Sequence, residues 1–245
     1  MATTVSDLAK MIDHSLLHPT MSDEDLQTGC QLARRYETAS VCIKPYAVSM
    51  AAELLDGSGV LVGTVCGFPH GNSATNVKAA EARRAIEDGA AEVDVVINIG
   101  KALSGEWDYV RQEIELLNRS VTDGGAILKV IFENDFLQDE HIVRLCEICS
   151  EAGVAFIKTS TGYGFTKREN GMYAYDGATL DDLKLMLQHA KPGVQVKAAG
   201  GIRSLEDLLR VKALGVTRVG ATATAAMLDK AQRLLGEGVD LESLV

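Results

Sequence analysis

The sequence predicts a (β/α)8 barrel on three observations: eight apolar runs of strand length, segments of helical period between them, and no compositional break over 245 residues. The runs are Lys10 to Leu16, Ala39 to Ile43, Val60 to Val65, Glu92 to Ile97, Ala126 to Phe132, Ala155 to Thr159, Val194 to Ala198 and Thr217 to Gly220. Amphipathic stretches separate them. Over Asp139 to Ala152, Asp139 can cap a helix, Ile142, Leu145, Cys146 and Cys149 form an apolar stripe, and Gly153 can end it. Ser204 and Asp207 give a weaker start signal before Leu205, Leu208 and Leu209. Residues 1–245 therefore read as a single domain. An open doubly wound sheet is the alternative, and the missing G-x-G-x-x-G after the first strands counts against its nucleotide-binding form.

Composition narrows the function classes. A hydrophobic fraction of 47% supports a large core, and no run of about eighteen apolar residues marks a membrane span. The opening Met-Ala-Thr-Thr-Val-Ser-Asp has neither the basic region nor the apolar stretch of a secretory signal, so a cytoplasmic location is expected. Five cysteines, an odd number in a chain too large to need staples, fit free thiols in a reducing compartment. A formal charge of −10 works against nucleic-acid binding, because phosphate-backbone contact calls for a basic surface. A local basic pocket for one small phosphate remains compatible with it.

Three lysines stand inside strand-like runs: Lys129 in Leu-Lys-Val-Ile-Phe-Glu, Lys158 in Ala-Phe-Ile-Lys-Thr-Ser-Thr-Gly, and Lys197 in Val-Gln-Val-Lys-Ala-Ala-Gly-Gly. Lysine is almost never fully buried without a partner, and desolvation favours its neutral amine, the form that attacks carbonyls. Lys158 has the more apolar upstream context and a Thr-Ser-Thr-Gly turn whose hydroxyls and amides can hold substrate. Lys197, on the next strand, is the natural cationic neighbour for lowering its pKa. Spacing alone does not say which lysine is nucleophile and which is perturbing cation. Asp94, between valines in Glu-Val-Asp-Val-Val-Ile, fits either an internal ion pair or proton transfer during carbinolamine formation. For Lys129, simple pairing with nearby Glu133 competes with any functional role.

Phosphate recognition is indicated at two places: Gly200 and Gly201 before a helix, and Arg-Val-Gly-Ala-Thr-Ala-Thr (218–224), with Gly220 and Thr222, before the last helix. Barrels often bind phosphate after their seventh and eighth strands, where free amides and a helix dipole favour an anion. Other features weigh less. Cys146 and Cys149 form C-x-x-C but lie on a core stripe. His14 and His18 lack a third ligand at zinc-site spacing, so no metal is expected. His70 sits in the turn Gly-Phe-Pro-His-Gly, where a structural role competes with a site role. No nucleophile elbow or Walker loop occurs.

The chain resembles the deoxyribose-phosphate aldolases, class I aldolases of the barrel fold. The resemblance rests on Ile-Asp-His-Ser-Leu-Leu, Ala-Ser-Val-Cys-Ile, Gly-Phe-Pro-His-Gly, Glu-Val-Asp-Val-Val-Ile-Asn, Leu-Lys-Val-Ile, Phe-Ile-Lys-Thr-Ser-Thr-Gly and Val-Lys-Ala-Ala-Gly-Gly-Ile-Arg. It implies Lys158 as the Schiff-base lysine, Lys197 as the pKa-lowering lysine and Asp94 as the proton-transfer group. It also implies reversible cleavage of 2-deoxy-D-ribose 5-phosphate to acetaldehyde and D-glyceraldehyde 3-phosphate, without metal or organic cofactor. Phosphate falls to the Gly200, Gly201 and Gly220 amides, with Asp13 and Thr159 as hydroxyl contacts. Partners are these small molecules, and a homo-oligomer is compatible with the resemblance.

Three departures accompany it. Thr222 and Ala223 stand where many members carry serines. The Tyr163 to Gly177 stretch is longer than in some members, and its Lys167 and Arg168 are expected to form a positively charged flap. The final Asp-Leu-Glu-Ser-Leu-Val carries no tyrosine of the kind that ends some members. Competing readings are a Schiff-base barrel lyase with another donor or a non-phosphorylated acceptor, and a catalytically silent sugar-phosphate binder.

Overall fold

The structure, a computed structural model, describes residues 3–245. In chain order its helices and strands are α1 (Val5–Ala9), β1 (Ile12–Leu16), α2 (Asp23–Tyr36), β2 (Ser40–Ile43), α3 (Val48–Leu55), β3 (Leu61–Cys66), α4 (Thr75–Glu87), β4 (Glu92–Val96), α5 (Ile99–Leu103) and α6 (Trp107–Asp123). They continue with β5 (Ile127–Ile131), α7 (Asp139–Ala152), β6 (Phe156–Lys158), β7 (Thr166–Lys167), β8 (Tyr173–Ala174), α8 (Leu180–His189), β9 (Gln195–Ala199), α9 (Leu205–Leu214), β10 (Arg218–Ala221) and α10 (Thr224–Gly236). Eight parallel strands close in the order β1-β2-β3-β4-β5-β6-β9-β10, as expected. The remaining two, β7 and β8, form an antiparallel hairpin between β6 and α8.

Alternation along each strand sorts the residues. Successive side chains point to opposite faces, so Val93, Val95, Leu128, Val130, Ile157, Val196 and Val219 join the apolar shell beneath the helices. Their neighbours Asp94, Lys129, Lys158, Lys197 and Arg218 point into the barrel. The shell includes Cys146 and Cys149, both fully buried on α7, and burial pushes the Cys146 thiol up to about 12. Gly153 ends α7 at φ 66°, but Asp139 is its first residue rather than its cap. Gln138 takes the cap position, and its N–H donates to His141 Nδ1 at 3.2 Å.

The first strand begins later than expected because Lys10 belongs to a helix end. Thr4 and Asp7 form a capping box that starts α1, and Lys10 is its C-cap. The polypeptide then enters the barrel with Met11 O accepting the Val219 N–H at 2.7 Å.

His14, on the outward face of β1, is buried, and its Nδ1 lies 2.9 Å from Thr224 Oγ1 at the start of α10. Burial lowers its pKa from 6.5 to about 4. The folded state thus binds this proton less readily than the unfolded chain. Stability is intact above pH 6.5 and erodes as pH falls toward 4, by about 3 kcal/mol at most from this residue. Urea unfolding between pH 7.5 and about pH 4 should show a shallower acid loss in His14→Gln, which keeps a partner for Thr224. Parallel slopes for the two proteins would remove His14 as the cause.

Candidate active site

Strand register places the charged groups. Lys158 pairs with Lys197 across β6 and β9, Asp94 with Lys129 across β4 and β5, and Arg218 with Lys197 across β10 and β9. All three lysines are buried, as are Asp13, Glu92 and Asp94. Asp94 Oδ2 accepts from Lys158 Nζ at 2.7 Å and Lys197 Nζ at 2.8 Å. Asp13 Oδ2 accepts from Lys197 Nζ at 2.5 Å and Lys129 Nζ at 2.7 Å. Lys129 also reaches Glu92 Oε2 at 2.5 Å, and Arg218 spans Asp13 Oδ1 at 2.6 Å and Glu92 Oε1 at 3.1 Å. The result is one continuous ionic network across the barrel.

Its electrostatics follow from the competition between burial and charge. Burial pushes the Asp94 carboxyl up, but Lys158, Lys197 and Lys129 outweigh it and hold the group below the ordinary carboxylate range. Asp13 behaves likewise under Lys129, Lys197 and Arg218. For Lys197, burial favours the neutral amine, and Asp13 and Asp94 reverse this and raise its pKa. Lys197 is therefore a fixed cation beside Lys158. Asp94 Oδ1 has no hydrogen-bond partner, and its nearest cation, Lys129 Nζ, lies 3.6 Å away.

Lys158 and Lys197 form the floor of a cavity of about 340 Å³ at the C-terminal end of the barrel. Its lining includes Gly200, Gly201, Gly220, Thr222 and Arg203 as well as Thr161, Tyr163, Phe165 and Tyr175, and the Tyr175 hydroxyl accepts from Arg203 at 3.2 Å. Gly200 and Gly201 adopt φ of 88° and 87°, a region that favours glycine, and Gly177 packs against Gly200 too closely for a side chain. At Gly220 an added Cβ would press on Ala199 Cβ at 3.3 Å and stand in ordinary contact with Lys197 Cε at 3.6 Å. Helix α10 starts after Thr222 with no side-chain cap, leaving its first amides free, whereas α9 is closed by the expected Ser204–Asp207 box.

Several expectations need correction. Lys129 pairs with Asp13 and Glu92, not Glu133, whose carboxylate turns to Thr161. Asp13 and Thr159 lie behind the cavity wall. Both Asp13 oxygens are taken by cations and by Ser40 Oγ at 2.7 Å, while Thr159 Oγ1 bonds the Ala199 backbone. Thr161 is the threonine that reaches the cavity. The flap residues Lys167 and Arg168 do not line it either: Lys167 is exposed and Arg168 pairs with Asp176 at 3.0 Å. What the hairpin region brings is aromatic, Phe165 edge-on to Tyr175 with centroids 5.3 Å apart.

Sequence reasoning passed over Glu92 and set Arg218 in a phosphate segment, whereas Arg218 pairs with Asp13 and Glu92, in phase with the other inward charges. It also passed over the aromatics, which occupy a segment without periodicity. His18 lies at the mouth, 6.5 Å from the Tyr163 ring, while His70 is exposed and outside the lining. Among the described residues no cluster of side chains has the composition of a metal site.

Removing Lys129 takes one of two cations from Glu92, which keeps Arg218, and one of three from Asp13. Lys129→Met is expected to lower unfolding stability by about 1–3 kcal/mol, because each carboxylate loses a buried donor but keeps a cation. Lys129→Met combined with Glu92→Gln should recover part of that loss, because the carboxylate left with fewest donors is gone. Chemical denaturation of both variants checks this, and a double variant no better than the single would refute the pairing argument.

Residues 8–230 match the family model described as DeoC/LacD family aldolase. A deoxyribose-phosphate aldolase of Rhodopirellula baltica is 53% identical over 230 residues, covering 94% of this chain and 91% of the relative. One from Treponema denticola is 41% identical, covering 91% and 98%. The solved tetrameric deoxyribose phosphate aldolase of Aeropyrum pernix superposes with a TM-score of 0.83 at 30% identity, covering 94% and 93%. The chain belongs to the DeoC/LacD family of aldolases.

Proposed function

We propose that this chain, acting as one barrel domain over residues 1–245, reversibly cleaves 2-deoxy-D-ribose 5-phosphate to acetaldehyde and D-glyceraldehyde 3-phosphate through a Schiff base on Lys158. The observation that carries the assignment is the sharing of Asp94 Oδ2 by Lys158 and Lys197 at the cavity floor. When Lys158 gives up its proton, Lys197 still holds Asp94 in its charged form. A neutral amine can then form beside a carboxylate that remains paired.

In the synthetic direction the lone pair of Lys158 Nζ attacks the acetaldehyde carbonyl carbon, and the carbonyl oxygen takes a proton to give a carbinolamine. Asp94, with its unpartnered Oδ1 free to bind an ordered water, moves the protons that let water leave. The iminium loses a proton from the adjacent carbon and becomes an enamine. That carbon attacks the aldehyde of glyceraldehyde 3-phosphate, whose oxygen is protonated as the new carbon–carbon bond forms. Water adds to the resulting iminium and releases the sugar from Lys158.

At the other end of the cavity, the amides of Gly200, Gly201 and Gly220 and the uncapped start of α10 after Thr222 suit a phosphate, with Arg203 in the same lining. The substrates are small molecules, and neither a metal nor an organic cofactor takes part in the scheme. A cytoplasmic site of action is supported by five free cysteines, and no helix among the described residues is long and apolar enough to cross a membrane. Homo-oligomerisation belongs to the same proposal, supported by the tetramer named for the Aeropyrum pernix relative.

Borohydride reduction in the presence of acetaldehyde should add one ethyl group to Lys158, read by peptide mass. Labelling elsewhere with Lys158 untouched would refute the nucleophile. Lys158→Leu should reduce turnover by about 10⁴-fold or more with the fold retained. Phosphorylated deoxyribose should be cleaved with higher kcat/KM than free deoxyribose, by about tenfold or more; equal values would refute the phosphate site.

A further inference from the structure

Glu133 is a buried carboxylate that the scheme above does not use. It follows β5 at φ 60° and ψ 65°, a left-handed conformation that residues with side chains rarely adopt. Its side chain is held from two directions. Thr161 N–H donates to Oε1 at 3.1 Å, and the Thr161 hydroxyl meets Oε2. Gly164 lies so close that a Cβ there would come within 2.6 Å of Glu133 Cδ. The backbone has been bent, and a glycine placed, so that this carboxylate sits on Thr161.

A threonine hydroxyl has one proton and two lone pairs, and it normally rotates to suit its partner. Here the rotor is fixed. Tyr163 N–H donates to Thr161 Oγ1 at 2.9 Å, which occupies one lone pair. Burial raises the Glu133 pKa from its ordinary value, opposed by the two Thr161 donors and by the Lys158 charge; ionised, Glu133 can only accept, so the single hydroxyl proton is committed to Oε2. One lone pair remains, on an oxygen whose residue lines the cavity. Thr161 can therefore accept a hydrogen bond from a bound molecule and cannot donate one.

We infer that Glu133 is a positioning residue that fixes Thr161 as a hydrogen-bond acceptor for a hydroxyl of the substrate, selecting hydroxyaldehydes over aldehydes that lack the hydroxyl. This rests on the aldolase reading proposed above. An analogue without the hydroxyl leaves the Thr161 lone pair desolvated and unpaired.

The test compares two acceptors for acetaldehyde on one preparation: D-glyceraldehyde 3-phosphate and 3-phosphonooxypropanal, which lacks the 2-hydroxyl. The ratio of their kcat/KM values cancels any loss of folded protein, so a merely structural role would not move it. The wild type should prefer the hydroxyaldehyde by about tenfold. Glu133→Gln keeps an oxygen for Thr161 N–H but sets an amide donor against Oγ1. The threonine proton must then turn into the cavity, and the preference should fall to about twofold or less.

Thr161→Val should lose the preference as well, while Thr161→Ser should keep it. This pair also carries the test should Glu133→Gln fail to fold. A preference that survives in Glu133→Gln or in Thr161→Val overturns the inference, as does its absence from the wild type. Wild-type protein that forms no acetaldehyde adduct on Lys158 overturns the aldolase reading and this inference together; adduct formation with an unmoved ratio overturns the inference alone.

Discussion

The ionic network inside the barrel is the constraint on which the other features depend. Lys129, Lys158, Lys197 and Arg218 share the barrel interior with Asp13, Glu92 and Asp94, and every one of these charges has an opposite charge within hydrogen-bond reach. Each desolvated charge is tolerable only because strand register delivers opposite charge within hydrogen-bond reach. The same condition makes the arrangement rigid, since moving one side chain costs its partner a buried hydrogen bond. A nucleophilic amine fixed in this way needs no reorganisation when an aldehyde arrives. Lys158 makes only one of these pairs, to an oxygen that Lys197 also serves. It is the member that can leave the network with least disruption.

A charged interior shifts the source of stability outward. Barrels of this class usually fill their centre with branched apolar side chains, whereas here those positions carry lysines and carboxylates. The apolar contribution comes from the other face of each strand, where Val93, Val95, Leu128, Val130, Ile157, Val196 and Val219 pack beneath helices with Leu145, Leu183, Met186 and Leu208. Period-two alternation thus divides labour within single strands. In Glu-Val-Asp-Val (92–95) the valines hold the sheet to its helices, and the carboxylates hold the lysines.

That division explains what could be read from the sequence. Apolar strand runs interrupted by Lys129, Lys158 and Lys197 revealed both the barrel and its reactive interior, because a strand that buries both faces shows a charge as an interruption. Partners were harder to assign. Glu133 lies close to Lys129 in the chain, yet Lys129 bonds Asp13, 116 residues away, because partners inside a closed barrel are set by register and tilt. The resemblance implies Asp13 as a hydroxyl contact, and its satisfaction by four donors instead follows only from the assembled strands. The hairpin of β7 and β8 escaped for a different reason. Its charges, Lys167 and Arg168, drew attention in the sequence, whereas Phe165 and Tyr175, which face the cavity, carry no periodic signal.

The cavity is polarised along its length, and this bears on what it can hold. At the floor are cations and carboxylates in fixed pairs; above them the lining carries Tyr163, Phe165 and Tyr175, glycines in left-handed conformations and residues that lead into the uncapped start of α10. A two-carbon aldehyde needs only the amine and room beside it, so the floor is enough for the donor. The acceptor must span from the amine to the amides, and its ends differ in charge. An anion cannot settle at the floor beside Asp94 without displacing a paired carboxylate, whereas the start of α10 offers it amides that no side chain caps. Direction of binding is therefore imposed by where hydrogen-bonding capacity has been left open. The same logic makes Thr161 informative, because the lone pair it leaves toward the cavity is as much a part of the site as the amine of Lys158.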